Sequence, residues 1–221
     1  MIEITDLKKT FSGGTVTPLN GVNLTVEKGT FLSITGPSGS GKSTLLLCTA
    51  GLIRPDSGHV MISNRKVTTM KAAEAASFRN KNVGFVFQMF HLIPYLTAME
   101  NVMVPLFLQS MSASRQQETA MNLLERVGMD HRAGHRPAQM SAGEQQRISI
   151  ARAIAVNPEV IFADEPTGNL DKETGQNIIA LLREIAQDNK IVFMVTHDME
   201  AATQGTAQYR LSDGQLEPVK A

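Results

Sequence analysis

The chain has 221 residues, of which 42% are hydrophobic and 19% charged, which is typical of a globular protein with one substantial core. Its 21 basic residues balance 21 acidic ones, so no broad charge field attracts it to nucleic acid or to an acidic membrane surface. We therefore expect no nucleic-acid partner. The single cysteine, Cys48, excludes an internal disulfide and fits a reducing compartment.

Two further features bear on the compartment. No segment approaches the roughly 20 uninterrupted apolar residues that span a bilayer. The N-terminal stretch MIEITDLKK is too acidic and too weakly apolar for a signal peptide. We therefore expect a cytoplasmic protein, or one bound to the cytoplasmic side of something else.

The first predicted elements are strands. IEITDL (2–7) and GVNLTV (21–26) alternate apolar and polar residues, as half-buried antiparallel strands do. TFLSIT (30–35) runs through a Gly-rich stretch into the apolar LLLCTAGL (45–52), which predicts a strand, a loop and a helix. NVGFVFQ (82–88) predicts another strand.

From about Met89 to Val156 the pattern is helical, and SRQQETAMNLLERVG (114–128) has helical apolar spacing, with Gly128 as its predicted end. Apolar strands then return as EVIFAD (159–164) and KIVFMVTH (190–197), with a helix predicted between them. Such β-branched runs suit parallel strands buried on both faces. YRLSDGQL (209–216) predicts a closing hairpin that turns at Asp213-Gly214.

This alternation predicts an α/β fold with a parallel core and a helical insertion. We expect a single domain over residues 1–221. Its core would comprise about 1–88 and 157–221, and the helical subdomain about 89–156. No internal repeat or long linker divides the chain.

The stretch GPSGSGKS (36–43) matches the phosphate-loop pattern G-x-x-x-x-G-K-[ST] at every fixed position. Glycines let successive backbone N–H groups surround phosphate oxygens, and the following helix N-terminus adds a positive dipole. Lys42 is predicted to reach the β- and γ-phosphates, and Ser43 to ligate Mg²⁺. A chance Gly-rich turn is the alternative, but the flanking strand and helix favour a nucleotide site.

The stretch VIFADE (160–165) places two carboxylates at the end of a predicted strand. Asp164 can hold the Mg²⁺ shell, as in other phosphate-loop NTPases. Glu165 can polarise the attacking water as a general base. Adjacent carboxylates at a strand end are often only solvated loop charges, but a phosphate loop in the same chain favours the catalytic interpretation.

The stretch SAGEQQR (141–147) has the spacing of a capping box, in which Ser141 and Glu144 satisfy each other's backbone N–H groups at a helix start. That interpretation needs no further function. The sequence leaves open whether the exposed N–H groups and the Ser141 hydroxyl also hold a ligand.

The order of phosphate loop, VFQ (86–88), SAGEQQR, VIFADEPTGNLD (160–171) and VTHD (195–198) resembles the ATPase subunit of ABC transporters over essentially the whole chain. GFVFQMFHLIPYLTAMENV (84–102), VGMDHRAGHRP (127–137) and ADEPTGNLD (163–171) resemble its lipoprotein-release and macrolide-export branch. The resemblance implies a phosphate-loop NTPase with a RecA-like parallel sheet core, an N-terminal antiparallel β subdomain and an inserted helical subdomain. ATP and Mg²⁺ would be its cofactors.

The resemblance also implies individual roles. Glu165, His197 and Gln88 would be catalytic, with His197 contacting the γ-phosphate and Gln88 sensing Mg²⁺ or the attacking water. Phe11 would stack on adenine, although from composition alone it reads equally well as a core residue. The remaining residues predicted to bind nucleotide within this chain are Gly36, Pro37, Ser38, Gly39, Ser40, Gly41, Lys42, Ser43 and Thr44. The metal-binding residues implied are Ser43, Gln88 and Asp164.

The family pairs two copies head to tail, so each ATP would lie between one phosphate loop and the partner's signature segment, 141–145. Ser141, Gly143 and Glu144 would then bind the partner's nucleotide. Asp171, in the loop with Asn169 and Leu170, would cross to the partner. The expected partners are thus a second copy and an integral membrane permease, with the protein peripheral on the cytoplasmic side of the inner membrane.

The permease is expected to dock near Gln88–Tyr95. Within this stretch Met89, Phe90 and Tyr95 are predicted to form an exposed groove for a short cytoplasmic helix. Leu92 and the adjoining Leu96 are predicted to pack in the core. The transported substrate depends on that partner.

Two local features depart from simple expectations. Ala142 stands where the family usually has Gly; a methyl group is tolerated in a first helical turn with negative φ but costly at positive φ. We therefore assign the phosphate contacts to Ser141 and the Gly143 N–H.

His131 and His135 have i, i+4 spacing, but Gly134 and Pro137 argue against a regular helix, so we reject a metal site there.

Two other functions remain as alternatives. One is an ATPase of the same type that drives cell-envelope remodelling or division without transport, which motifs cannot separate. The other is an ABC ATPase acting on DNA or the ribosome. The short stretch between Gln88 and Ser141 lacks sustained heptads, and the chain has one ATPase domain, so this second alternative is disfavoured.

Overall fold

The computed structural model describes residues 1–219, so Lys220 and Ala221, the end of the predicted domain, lie outside the described residues. The strands, in chain order, are β1 (Ile2–Phe11), β2 (Val16–Val26), β3 (Phe31–Thr35), β4 (Ser57–Ile62), β5 (Arg65–Lys66), β6 (Val83–Phe87), β7 (Val160–Asp164), β8 (Ile191–Val195), β9 (Ala207–Ser212) and β10 (Gln215–Pro218). The α-helices are α1 (Lys42–Thr49), α2 (Ala72–Asn82), α3 (Ala98–Met103), α4 (Ala113–Arg126), α5 (Ala142–Ile154), α6 (Lys172–Gln187) and α7 (Met199–Ala202).

The strands form two sheets of different character. An antiparallel sheet has the order β2-β1-β4-β5, and a second sheet has the order β10-β9-β3-β8-β7-β6. In the second sheet every pairing from β9 to β6 is parallel, and only the edge strand β10 is antiparallel. The predicted α/β class, with a parallel core, an N-terminal antiparallel sheet and inserted helices, is therefore confirmed.

The central sheet is buried on both faces, as the apolar strand sequences predicted. Along β7 the side chains alternate between two core clusters, because successive residues of a strand point to opposite faces. Ile161 and Ala163 pack with helices α3 to α6, whereas Val160 and Phe162 pack with α1 and the antiparallel sheet. Cys48 lies in the second cluster, where burial raises the pKa of its thiol to about 11.

Between β6 and β7 the described chain has helices α3, α4 and α5 joined by 3₁₀ turns. The helical pattern was expected from about Met89, but α3 begins only at Ala98. His91, with φ of 49°, and Pro94 interrupt regular helix before that point. A capping box of Thr97 and Glu100 then starts α3.

Several other elements meet or extend the predictions. Helix α4 ends near Gly128, which has φ of 71°, and Asp213-Gly214 turns the final hairpin with both φ values positive. His131 lies in a short 3₁₀ turn and His135 beyond it, so no α-helix carries this pair. No helix within residues 1–219 is long and apolar enough to cross a bilayer.

Strand β6 and helix α5 approach each other closely at Gly84. A Cβ added there would lie 2.3 Å from the carbonyl oxygen of Ala153, a backbone atom that cannot swing away. We expect Gly84→Ala to lower the free energy of unfolding by about 1–3 kcal/mol, because α5 must shift away from the sheet. Urea unfolding of both proteins measures the difference.

Gly134→Ala provides the matched control. No heavy atom lies within 4 Å of a Cβ built at Gly134, and its φ is not positive, so its unfolding free energy should stay within about 0.5 kcal/mol of the parent. Equal stability of the Gly84→Ala variant and the parent would contradict the close packing of β6 on α5.

Candidate functional site

The phosphate-loop stretch joins β3 to α1 in the context that its sequence pattern requires. Gly41 has φ of 99°, and a Cβ there would lie 2.6 Å from the carbonyl oxygen of Pro18. A Cβ at Gly36 would lie 2.3 Å from the carbonyl oxygen of Leu211. Only glycine fits these two positions, so the loop stays tightly folded against β2 and β9.

The loop opens into a cavity of about 370 Å³ at the carboxyl end of the parallel strands. Its lining includes most of the residues predicted to bind nucleotide in this chain, together with Glu165 and His197. The lining residues are Phe11, Val16, Pro18, Ser38, Gly39, Ser40, Gly41, Lys42, Ser43, Thr44, Glu165 and His197. The structure thus brings the phosphate loop, the end of β7 and the end of β8 together around one space.

Lys42 is the cation of this cavity, and its side chain is only 8% exposed. Its Nζ donates to the carbonyl oxygens of Gly36 and Pro37, at 2.9 and 3.0 Å. These two carbonyls hold the ammonium over the loop, and no carboxylate within residues 1–219 forms an ion pair with it. The cation can therefore exchange neutral acceptors for an anionic one.

Ser43 and Asp164 meet at the floor of the site. Ser43 Oγ donates to Asp164 Oδ1 at 3.1 Å. Burial raises the pKa of Asp164, the Glu165 charge raises it further, and the Ser43 hydrogen bond opposes both effects. A hydroxyl and a carboxylate in contact supply the hard oxygen donors that Mg²⁺ prefers, so the residues present fit this ion.

Glu165 follows β7 with φ of 49°, in the left-handed region that non-glycine residues seldom occupy. Its backbone N–H donates to Val195 O at 2.9 Å. Its carboxylate accepts hydrogen bonds from Thr196 Oγ1 at 3.0 Å and from the His197 N–H at 3.2 Å. His197 Nδ1 lies 2.9 Å from Glu165 Oε1. These contacts fix the carboxylate at the cavity wall despite the strained backbone.

Phe11 is 39% exposed and belongs to neither core cluster. It lines the mouth of the cavity at the end of β1, opposite Val16 of β2. The contribution of Val16 and Pro18 was missed from the sequence, because each looks like an ordinary strand residue. Their location follows from the pairing of β1 with β2, which no local motif reveals.

Gln88 does not line this cavity. Its Nε2 donates to Asn169 Oδ1 at 3.3 Å, and Asn169 Nδ2 donates back to the Gln88 carbonyl at 2.9 Å. A Cβ at Gly168 would lie 2.8 Å from Gln88 Nε2, so the loop after β7 packs directly on this side chain. In this conformation Gln88 is tied to that loop.

The signature segment also lies outside the cavity lining. Ser141 caps α5 in the predicted capping box: Ser141 Oγ accepts from the Glu144 N–H at 3.2 Å, and Glu144 Oε2 accepts from the Ser141 N–H at 2.8 Å. The Ser141 N–H lowers the pKa of Glu144, as does Arg132, which lies 2.9 Å from Oε1. Ala142 is the first helical residue and has no positive φ, so its methyl group is tolerated there.

Close packing requires glycine at position 143, independently of the phosphate contact predicted for its N–H. A Cβ there would lie 2.5 Å from Thr174 Cγ2, in the first turn of α6. Asp171 caps that same turn by accepting from the Thr174 N–H at 3.0 Å, which lowers the pKa of Asp171. The two segments predicted to meet a partner are therefore in contact with each other.

Comparisons with known proteins agree with this geometry. Residues 19–168, more than half of the chain, match the family model described as ABC transporter. The chain is 44% identical to the lipoprotein-releasing system ATP-binding protein LolD of Shewanella frigidimarina, over 100% of this chain and 94% of that protein. It is 42% identical to the macrolide export ATP-binding/permease protein MacB of Bartonella quintana, over 98% of this chain but only 33% of that protein.

A solved structure shows the same architecture. The dimeric ATP-binding cassette MJ0796 of Methanocaldococcus jannaschii, bound to ADP and phosphate, superposes with a TM-score of 0.89 at 40% identity, covering 100% of both chains. The chain therefore belongs to the ABC transporter family, as an ATP-binding subunit that hydrolyses ATP.

Proposed function

We propose that this subunit powers an integral membrane permease in lipoprotein release or export, from the cytoplasmic side of the inner membrane. The observation that carries the proposal is the single cavity where the phosphate loop, Glu165 and His197 meet. The names of the two relatives, one of a lipoprotein-releasing system and one of macrolide export, support the class of substrate.

Within this cavity the chain's own groups would divide the work. The glycine-rich turn and Lys42 bind the β- and γ-phosphates, while Phe11 stacks on the base. Ser43 and Asp164 would hold Mg²⁺, which when bound would neutralise charge on the phosphate oxygens. Gln88, which does not line the cavity in this conformation, is proposed to complete the metal site. Glu165 accepts the proton of the attacking water, and His197 orients Glu165 while facing the γ-phosphate.

Glu165→Gln tests the general base. The amide keeps the size of the side chain but cannot accept the proton, so steady-state hydrolysis should fall by roughly 10²–10⁴-fold while ATP affinity is retained. A phosphate-release assay and a nucleotide titration measure the two quantities. Glu200→Gln on α7, an exposed carboxylate outside the cavity lining, is the control and should hydrolyse ATP at the parental rate. Unchanged turnover in Glu165→Gln would exclude this role.

We further propose that two copies close head to tail, so that Ser141, Gly143 and Glu144 of one copy meet the ATP held by the other. The motivating observation is that these residues lie outside the cavity in their own chain. ATP binds best to the closed state, so its binding energy shifts the population toward closure. Asp171 would contact the partner beside them.

If this dimer forms, saturating Mg-ATP should convert Glu165→Gln protein from monomer to dimer, because slow hydrolysis leaves the closed state populated. Analytical ultracentrifugation with and without nucleotide measures the change. The double variant Lys42→Ala, Glu165→Gln loses the phosphate contact and should stay monomeric. Glu165→Gln protein that remains monomeric with bound ATP would contradict head-to-tail closure of the isolated subunit.

The permease surface is proposed to lie at Gln88–Tyr95. Met89 and Tyr95 are 65% and 72% exposed, which is unusual for large apolar side chains, and they lie in one non-helical segment. Phe90 is half-buried there, and Leu92 packs against the helical core cluster. The exposed side chains fit an amphipathic helix of the membrane partner.

Tyr95→Asp should reduce co-purification of the permease from detergent-solubilised membranes by about tenfold, because a charge replaces the most exposed aromatic side chain of the proposed surface. Basal hydrolysis by the isolated subunit should be unchanged. Met121→Asp, on the exposed side of α4, is the control and should retain the permease. If the parent, Tyr95→Asp and Met121→Asp proteins retain equal amounts of permease, the permease surface does not include Tyr95.

A further inference from the structure

Helix α5 is attached to the segment between Phe87 and His91 at both of that segment's ends. Gln146, in the second turn of α5, donates from Nε2 to the Phe87 carbonyl at 3.2 Å. Arg152, almost two turns later, donates to the Phe90 carbonyl at 2.9 Å and to the His91 carbonyl at 2.5 Å. The segment between these attachments contains Gln88.

Gln146 makes a second bond that extends this attachment to another loop. Its Nε2 also donates to the Pro166 carbonyl at 2.5 Å. Both acceptors are backbone carbonyls, so only the NH₂ end of the amide can face them, and the orientation is chemically determined. The two carbonyls belong to the residue before Gln88 and the residue after Glu165. One side chain therefore joins α5 to the neighbours of two predicted catalytic residues.

One end of the Gln146 side-chain amide lacks a hydrogen-bond partner. Gln146 is fully buried, yet its Oε1 accepts no hydrogen bond from the described residues. A buried acceptor without a donor is costly, so the side chain keeps its two donor contacts at an energetic disadvantage. This observation favours a role in the reaction cycle over a role in stability alone.

Arg152, which attaches α5 to the other end of the Gln88 segment, is also a largely buried polar side chain that donates to backbone carbonyls. Its guanidinium is mostly buried, and the hydrogen bonds it makes within residues 1–219 go to backbone carbonyls. His91 has φ of 49°, a strained conformation, and its ring packs edge-on against Phe87 at 5.2 Å between centroids. The guanidinium thus stabilises a backbone turn that the chain alone would seldom adopt.

We propose that Gln146 and Arg152 are positioning residues that make α5, the Gln88 segment and the start of the loop after Glu165 move together. Helix α5 begins at the signature segment, so a ligand meeting its N-terminus would act on both catalytic loops through these bonds. The inference rests on the proposed roles of Gln88 and Glu165. It adds two residues that are not part of the cavity lining.

Gln146→Met tests the central contact, because methionine preserves the length and volume of the side chain but has no N–H donor. In the full chain with saturating Mg-ATP, we expect kcat to fall roughly tenfold, as small displacements of catalytic groups are costly. KM for ATP should change less than twofold, since the phosphate loop is untouched. The melting temperature and ATP affinity, measured on the same samples, establish that the variant is folded.

Ser149→Ala is the matched control. Ser149 lies on the same helix, is fully buried and also has an unpartnered oxygen, but it bonds to neither loop. Its kcat should equal that of the parent. Arg152→Lys keeps the charge and loses the planar fork, so it should lower kcat in the same direction by a smaller factor. If Gln146→Met does not fold, this second variant carries the test.

A double-mutant cycle with Gln88→Ala shows whether Gln146 acts through the Gln88 segment. If it does, the double variant loses less activity than the product of the two single losses. Folded Gln146→Met with parental kcat, or losses that multiply fully, would overturn the inference. An inactive parental chain, or parental turnover in Glu165→Gln, would instead count against the proposed function.

Discussion

The turn from β3 into α1 has no room for a side chain at Gly36 or Gly41, because the carbonyl oxygens of Leu211 and Pro18 occupy the space. This constraint holds the turn between β9 on one side and β2 on the other. It thereby aligns the N-terminus of α1 with the ends of β7 and β8. Every contact of the cavity, from Lys42 to His197, depends on that close approach.

The cavity and the predicted signature segment are separate within one chain. The cavity collects the phosphate loop, Glu165 and His197 at one edge of the parallel sheet. The start of α5 instead packs on α6 through Gly143 and Thr174 and is not part of that cavity's lining. A parallel sheet explains the cavity, since its strand ends converge at one edge. The proposed head-to-tail dimer would bring the start of α5 of a second copy to it.

Local sequence patterns were sufficient for the fold class, the phosphate loop and the capping box at Ser141, because each depends on residues close in sequence. They were insufficient where distant segments decide the outcome. Residues 53–81 carried no prediction of a helix or strand. The helix α2, which covers most of their second half, buries only Ala75 and Phe78, too few to produce an apolar period. The partners of Gln88 and the lining by Val16 and Pro18 likewise arise from pairings between elements, which a linear pattern does not contain.

Cys48 gives the chain a property of practical value. Cys48 belongs to α1, and its thiol is buried in the core, where burial raises its pKa to about 11, so very little of it is thiolate at neutral pH. We therefore expect the folded chain to react slowly with maleimides, because the thiol is both buried and protonated. A reporter cysteine introduced on the surface would react selectively, so domain motions could be followed by spectroscopic labels without first removing the native thiol.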